Sequence, residues 1–278
     1  MQEYRPARGA SREQIIAELR SLGRITPSLK MLKSEEQIAG CIEAGRINSL
    51  ILDRVAAIIA PGISTGDIDD LVAEQTRLLG GRPATLGFQG FPKSVCTSVN
   101  DVICHGIPSH SRVLKEGDIL NVDCTTVVDG YYGDASRMFR IGEVSEEADR
   151  LIRLTESAVE RAVASLAPYT STLGDIGHVI HTMASAAGYS VVREIGGHGV
   201  GLAMHEEPYV CHIGTAGAGV TLMPGMIFTV EPMINMGNSR FYVDKKDGWT
   251  VRTADGRLSA QVEYEVLITE EGHLILSK

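Results

Sequence analysis

The amino-acid sequence predicts an α+β fold made of two similar halves that are related by a pseudo-twofold axis. Its 278 residues, with 44% hydrophobic and 22% charged side chains, are typical of a globular chain that buries a sizeable core. Sliding the sequence over itself by 108 positions gives twelve identities across the 73 positions from Ile51 to Asp123. Because each copy combines two helical segments with alternating apolar strands, we interpret the match as a diverged duplication of about 51–123 and 159–231.

The composition excludes several classes of protein. A net charge of −9 disfavours nucleic acid as the main partner, because phosphate binding requires a basic face. The sequence contains no apolar run of about 18 residues, so no membrane span is predicted. The N-terminus lacks the apolar segment of a signal peptide, and we therefore expect a cytoplasmic protein. The five cysteines have no CxxC spacing, which predicts free thiols instead of disulfides or a zinc knuckle.

Residues 1–30 are predicted to form a basic N-terminal extension to a main domain over 31–278. Residues 1–33 contain seven Lys or Arg and three Glu. Ser11 and Gln14 match a capping box and Gly23 can end a helix. The apolar side chains between them fall on one helical face, namely Ile15, Ile16, Leu19 and Leu22. We expect this stripe to pack on the main domain, and the alternative is that the extension docks on an acidic partner.

The first half of the main domain begins with a helix predicted from Glu35 to about Ile59, capped by Ser34 and ended by Pro61. The following GISTG matches a G-x-S-x-G nucleophile pattern, but it opens a helix, so we assign Ser64 or Thr65 to helix capping. No glycine-rich phosphate loop supports nucleotide chemistry. In the second half, HEEPY at 205–209 lacks the second histidine of H-E-x-x-H, which excludes that zinc protease motif.

Isolated acids on apolar strands are the main chemical signal. Asp123, Glu231 and Glu263 each lie in an apolar strand, where an ionised carboxylate is costly unless a cation neutralises it. The duplication superposes Asp123 on Glu231, so these two carboxylates are predicted to face each other across the axis. The alternative is that such an acid bonds an arginine such as Arg137.

Two further residues extend this set. Asp134 follows a hairpin spacing that returns it to the same end of the sheet as Asp123, and His198 lies among glycines in GGHGVG. Four carboxylates with one imidazole suit divalent cations such as Mn, Fe, Co or Zn. Bridging carboxylates suit two such ions about 3.5 to 4 Å apart.

Six sequence blocks resemble the signature of the type I methionine aminopeptidases of the M24 metallopeptidases, in matching order and spacing across 31–278. They are SVNDVICHGIP (98–108), NVD with GDASRMF (121–139), GGHGVG with MHEEP (196–208), FTVEPM (228–233), DGWTV (247–251) and SAQVE (259–263). The resemblance implies the pita-bread (creatinase/aminopeptidase) fold, with two α+β halves around one dinuclear metal site. It also implies removal of N-terminal methionine from peptides and nascent chains with a small second residue.

Site residues follow from the resemblance position by position. The implied ligands of two divalent ions are Asp123, Asp134, His198, Glu231 and Glu263, with Asp134 and Glu263 bridging. His105 and His205 match two histidines that contact the substrate, and Glu231 matches the residue that moves a proton of the attacking water. The implied methionine pocket contains Phe88, Phe91, Cys96, Met204 and Trp249, and a monovalent cation is implied near Asn100, Val102 and Ser259.

The sequence departs from the family around the last ligand, where Val262, Tyr264 and Glu265 replace the usual aromatic residue, histidine and threonine. These changes predict an altered environment of the metal. The alternatives to the methionine aminopeptidase are a proline-type aminopeptidase and a non-catalytic binding module on the same fold. From the family we also expect a monomer, with the ribosome as the partner if residues 1–30 dock.

Overall fold

The computed structural model describes residues 4–278, so residues 1–3 of the predicted extension lie outside the described residues. The helices are α1 (Arg12–Ser21), α2 (Glu35–Ile58), α3 (Thr65–Leu78), α4 (Glu146–Ala164) and α5 (Leu173–Ala186), with short 3-10 helices at Leu29–Met31 and Phe88–Gly90. The strands are β1 (Arg82–Pro83), β2 (Cys96–Val99), β3 (Val102–Cys104), β4 (Ile119–Val128), β5 (Tyr131–Arg140), β6 (Ser190–Val191), β7 (Gly197–Gly199), β8 (Glu206–Val210), β9 (Ile227–Val230), β10 (Met233–Asn235), β11 (Phe241–Val243), β12 (Val251–Thr253), β13 (Ser259–Gln261), β14 (Tyr264–Ile268) and β15 (His273–Ser277).

The strands form four sheets. One has the order β1-β4-β2 with β5 also paired to β4, and the largest has the order β15-β14-β9-β7-β8. Two three-stranded sheets have the orders β13-β10-β6 and β11-β12-β3. β4 and β5, each of ten residues, form a hairpin whose turn, Asp129-Gly130, has positive φ at both residues, as a type I′ turn requires. This α+β architecture confirms the predicted fold class.

The two halves repeat the same local structure 108 residues apart. α3 and α5 have equal lengths and begin at capping boxes, Ser64 with Asp67 and Thr172 with Asp175. β1 pairs with β4 through Arg82 and Val127, and β6 pairs with β10 through Ser190 and Asn235. The strand register therefore shows the same offset as the sequence identities.

One element differs between the halves, and the difference shapes the centre of the molecule. The position of the continuous strand β4 is divided in the second half into β9 and β10, which flank Glu231 and Pro232. Because proline has no N–H to donate to a neighbouring strand, the ladder is interrupted there.

Two large apolar clusters form the core. One joins α2 and α3 to β2, β4 and β5, and the other joins α4 and α5 to the strands of the second half. α1 begins at the predicted capping box, and its Ile15, Ile16 and Leu19 are buried in the second cluster. The fourth residue of the predicted stripe, Leu22, is 61% exposed, because the helix ends at Ser21 and Leu22 is its C-cap.

The structure also describes the state of the cysteines and the length of the apolar helices. All five cysteines are free, and Cys211 is the one among them that is not buried. Within residues 4–278, no helix has the length and the apolar character needed to cross a membrane.

Candidate metal centre

The predicted site residues converge on one cavity of about 650 Å³ at the junction of the two halves. Asp123 lies on β4, Asp134 on β5 and His198 on β7, whereas Glu231 follows β9 and Glu263 precedes β14. The cavity is lined by all twelve residues predicted as ligands, substrate histidines or methionine pocket: Phe88, Phe91, Cys96, His105, Asp123, Asp134, His198, Met204, His205, Glu231, Trp249 and Glu263.

The β4–β5 hairpin positions the two aspartates. In its register Thr125 lies opposite Asp134, and Asp123 is two residues before Thr125, so these side chains share one face of the hairpin. The Thr125 hydroxyl donates a hydrogen bond of 2.9 Å to Asp134 Oδ1. The Asp134 N–H donates to Glu265 Oε2 at 3.1 Å. Both ends of Asp134 are thus held by neighbouring residues.

His198 presents one ring nitrogen to the carboxylates. Its Nδ1 lies 3.1 Å from the carbonyl oxygen of Gly199, so Nδ1 carries the proton in this hydrogen bond. Nε2 is then an acceptor, and it lies 3.4 Å from Glu231 Oε1 and 3.8 Å from Asp134 Oδ2. This is the tautomer in which histidine binds a metal.

Glu231 is fixed by neighbours on two strands and by one residue that follows β8. Its Oε1 accepts from the Thr229 hydroxyl at 2.7 Å, and its Oε2 accepts from the Gln261 amide at 3.1 Å. Its backbone N–H donates to His212 Nε2 at 3.1 Å. The carboxylate therefore has a defined orientation toward the cavity.

The electrostatics of the site call for a cation. Burial is the main cause that raises the pKa of all four carboxyls, to about 7 for Asp123 and well above the ordinary range for Asp134, Glu231 and Glu263. Mutual repulsion raises the last three further. Among the residues that the structure describes, neither lysine nor arginine lines the cavity. Arg137, the alternative partner for a buried acid, instead pairs with Asp53 at 2.7 Å.

The donor set fits a divalent metal. Asp134, His198 and Glu263 each offer a ligand atom within 4.8 Å of the others. Carboxylate oxygens with one imidazole nitrogen match the preferences of first-row divalent ions. A bound cation would also stabilise the ionised carboxylates that burial disfavours.

The two predicted substrate histidines flank the carboxylates. The rings of His205 and His198 are 4.3 Å apart between centroids, and the rings of His205 and Phe88 are 5.2 Å apart. Burial lowers the pKa of both His105 and His205. Both rings are consequently neutral near pH 7 and can each donate one N–H.

Aromatic and sulfur side chains form the apolar wall of the cavity. The rings of Phe91 and Trp249 meet edge to face at 5.2 Å, and Trp249 lies 6.1 Å from His105. Cys96 and Met204 are buried beside them. Cys96 pairs with Asp123 across β2 and β4, so the apolar wall adjoins the metal ligands directly.

Several residues at the site were missed by the sequence analysis. Thr125, Thr229 and Gln261 hydrogen-bond ligands, and His212 accepts from the Glu231 backbone. Thr229 and Gln261 each lie two positions from a predicted ligand, and this alternation along the strand is the signal that could have identified them. Glu265 had been singled out only as a departure from the family.

The residues predicted near a monovalent cation lie together. The carbonyl oxygen of Asn100, whose φ is 58°, accepts the Ser259 N–H at 2.9 Å. Ser259 Oγ is buried and has no hydrogen-bond partner within residues 4–278. Val102 begins the neighbouring strand β3.

Sequence and structure comparisons give one answer. Residues 39–270 match the family described as metallopeptidase family M24. "Methionine aminopeptidase A" of Synechocystis is 45% identical over 88% of this chain and 96% of its own length, and "Methionine aminopeptidase" of Escherichia coli strain K12 is 41% identical over 88% and 93%. A crystal structure of methionine aminopeptidase from Rickettsia prowazekii covers 89% of this chain and 99% of its own, at 41% identity and a TM-score of 0.86.

Proposed function

Because the chain belongs to the methionine aminopeptidases of metallopeptidase family M24, we propose that it removes N-terminal methionine at the acid-lined cavity between its halves. It is a metal-dependent hydrolase. The observation that carries the proposal is the convergence of four carboxylates and the Nε2 of His198 on a cavity that also has an apolar, sulfur-containing wall. The relatives named methionine aminopeptidase match nearly end to end, which disfavours the proline-type enzyme and the binding module.

We propose that Asp123, Asp134, His198, Glu231 and Glu263 would hold two divalent ions, with Asp134 and Glu263 as the ligands that both would share. Divalent ions in such a site supply Lewis acidity, which makes water a nucleophile near neutral pH. Co, Mn, Fe and Zn all suit the oxygen-rich donor set.

The protein's own residues handle protons and position the peptide. Glu231, held by Thr229 and Gln261, accepts a proton from the attacking water and returns it to the leaving amine. His205 donates a hydrogen bond to the oxyanion that develops at the scissile carbonyl. His105, whose ring centroid lies 6.1 Å from that of Trp249, holds the amide nitrogen of the same bond.

The apolar wall selects the first side chain. Phe88, Phe91 and Trp249 line one part of the cavity, and Cys96 and Met204 add polarisable sulfur there, which suits an unbranched thioether. From the family we propose that only small second residues are accepted. The natural substrates are then peptides and nascent chains that begin with methionine.

Further features of the proposal concern the setting of the enzyme. We propose that it acts as a cytoplasmic monomer and that α1 packs on the catalytic domain, which its buried Ile15, Ile16 and Leu19 support. The alternative proposal is that residues 1–30 contact the ribosome near emerging chains. The unpartnered Ser259 Oγ beside the Asn100 loop supports a monovalent cation near Asn100, Val102 and Ser259.

A peptide panel tests the function. Purified protein should be loaded separately with Co, Mn, Fe and Zn, its bound metal counted, and its turnover measured on Met-Ala, Met-Gly, Met-Lys and Ala-Pro peptides. We expect up to two ions per chain and cleavage of the first two peptides. Efficient cleavage of Met-Lys would contradict the second-residue preference. Cleavage of Ala-Pro alone would identify the proline-type activity instead.

A further inference from the structure

Lys33 is the largest fully buried side chain of the described residues, with 1% of its surface exposed. It belongs to residues 1–33, the basic part of the sequence. A buried ammonium is costly unless a charged partner and hydrogen bonds compensate it. Its partner is Glu206, whose side chain is 17% exposed and which directly follows His205.

Glu206 connects this ion pair to the loop 201–205. One carboxylate oxygen, Oε2, binds Lys33 Nζ, and the other, Oε1, accepts the backbone N–H groups of Leu202 and Ala203. The loop between them and Glu206 carries Met204 and His205. A single carboxylate therefore closes the loop that presents both side chains to the cavity.

The lysine is held from its own side as well. Arg12 of α1 donates to the carbonyl oxygens of Leu32 and Lys33, at 3.1 and 2.8 Å. The Lys33 N–H donates to the Gly225 carbonyl at 2.8 Å. Along its length the lysine packs near Gly201, where a Cβ would lie 3.3 Å from Lys33 Cε. The ammonium is thus delivered to Glu206 from a fixed backbone.

We infer that Lys33 is a positioning residue for the proposed reaction, acting through Glu206 to hold the loop that carries Met204 and His205. The inference rests on the proposed function for its effect on turnover, but not for its effect on the loop. His205 itself has no protein hydrogen bond among those that the structure shows, so its ring position depends on the backbone that carries it and on the neighbouring rings. Loosening this backbone would misplace a donor that acts on the transition state.

The test combines hydrogen exchange with kinetics on the metal-loaded full chain. In Lys33→Met, the Glu206 carboxylate loses its cationic partner, and we expect amide exchange at Leu202 and Ala203 to rise about tenfold or more. Turnover of a Met-Ala peptide should fall by a similar factor, mainly in kcat. The double variant Lys33→Met with Glu206→Gln is neutral, and its amide oxygen can still accept both N–H groups. It should recover loop protection and most of kcat, as a double-mutant cycle would reveal.

The control is Glu43→Gln, which breaks the exposed pair of Glu43 with Arg46 on α2 and should leave both readouts unchanged. Wild-type exchange at Leu202 and Ala203 in Lys33→Met would overturn the inference. So would raised exchange with unchanged kcat, or a double variant that recovers neither readout. If Lys33→Met does not fold, Glu206→Gln alone is the second variant: Lys33 keeps its charge, and the single amide oxygen cannot serve both the ammonium and the two loop N–H groups. Exchange at Leu202 and Ala203 should then rise as well. A wild-type protein without peptidase activity would refute the proposed function, while the exchange result would still decide whether Lys33 and Glu206 hold the loop 201–205.

Discussion

Gln261 shows how a single amide can serve two states of the site. Its Nε2 donates to Glu231, while its Oε1 is buried without a partner. Rotation of the amide by half a turn would exchange these two atoms and present an acceptor to the same position. The site can therefore tolerate an amide in place of the Glu231 carboxylate without leaving two donors facing each other.

We accordingly expect Glu231→Gln to fold normally but to lose turnover by about 100-fold or more, because the amide cannot accept the proton of water. Circular dichroism and melting should match the wild type when both are metal-free. Glu207→Gln, an exposed carboxylate at the rim of the cavity, is the control and should retain activity. More than about a tenth of wild-type kcat in Glu231→Gln would exclude general base catalysis by this residue.

His205→Ala should lower kcat more than it raises KM, by about 100-fold in kcat, since the ring acts on charge that develops in the transition state. Its metal content should equal that of the wild type. The exposed His110, replaced by alanine, provides the control for loss of an imidazole elsewhere. A change confined to KM would assign His205 to ground-state binding.

At the scale of elements, helix boundaries and strand acids were predictable because they depend on local sequence. Three helices begin at capping boxes, at Ser11, Ser34 and Ser64. The sequence predicted a cap at Ser11, at Ser34 and at Ser64 or Thr65, because serine followed by the first residues of a helix is a local signal. The partners of the ligands were not predictable, because they follow from sheet register. Glu265 contacts the Asp134 backbone only because β14 and β5 meet at the centre, 131 residues apart in sequence.

The helix α1 gives a direct test of packing. Leu19 is fully buried and Leu22, three residues later, is 61% exposed. We expect Leu19→Ala to lower the free energy of unfolding by about 2–4 kcal/mol. Leu22→Ala should change it by less than about 0.5 kcal/mol. Denaturant melts of both variants decide this, and equal effects would mean that the stripe does not pack as described.

At the scale of the whole molecule, the cavity concentrates negative charge between the halves. Seven carboxylates of the described part of the chain line it, at Asp123, Asp134, Glu194, Glu206, Glu207, Glu231 and Glu263. The isolated acids and the duplication suggested such a centre from the sequence alone. The resemblance to a known family supplied the two histidines and the pocket, because neither has a local signature.

This concentration predicts how stability depends on pH without metal. A carboxyl whose folded pKa is raised holds a proton that the unfolded chain releases, so its favourable contribution exists at low pH and is lost as the pH rises toward the folded pKa. For Asp123 this window extends from about 4, the ordinary value, to about 7. The protein from which metal has been removed by a chelator should therefore melt at a lower temperature at pH 7 than at pH 5.

Added divalent metal should reverse this trend, because it binds the deprotonated carboxylates. The stabilisation by metal, measured as the rise in melting temperature, should be larger at pH 7 than at pH 5. The control is Asp101→Asn, which removes a partly exposed carboxylate that pairs with Arg252 outside the cavity. It should leave the difference in metal stabilisation between pH 7 and pH 5 unchanged. A metal effect that is equal at both pH values would contradict the predicted window.

The division of the ligands between distant strands has a mechanical consequence. Asp123 and Glu263 are 140 positions apart, and a metal bound by both would tie the chain into a large covalent-like loop. In a protein whose cysteines are all free, the ion would then act as the cross-link that a disulfide provides elsewhere. Removal of the metal by a chelator would loosen the junction of the two halves before it disturbed either apolar cluster.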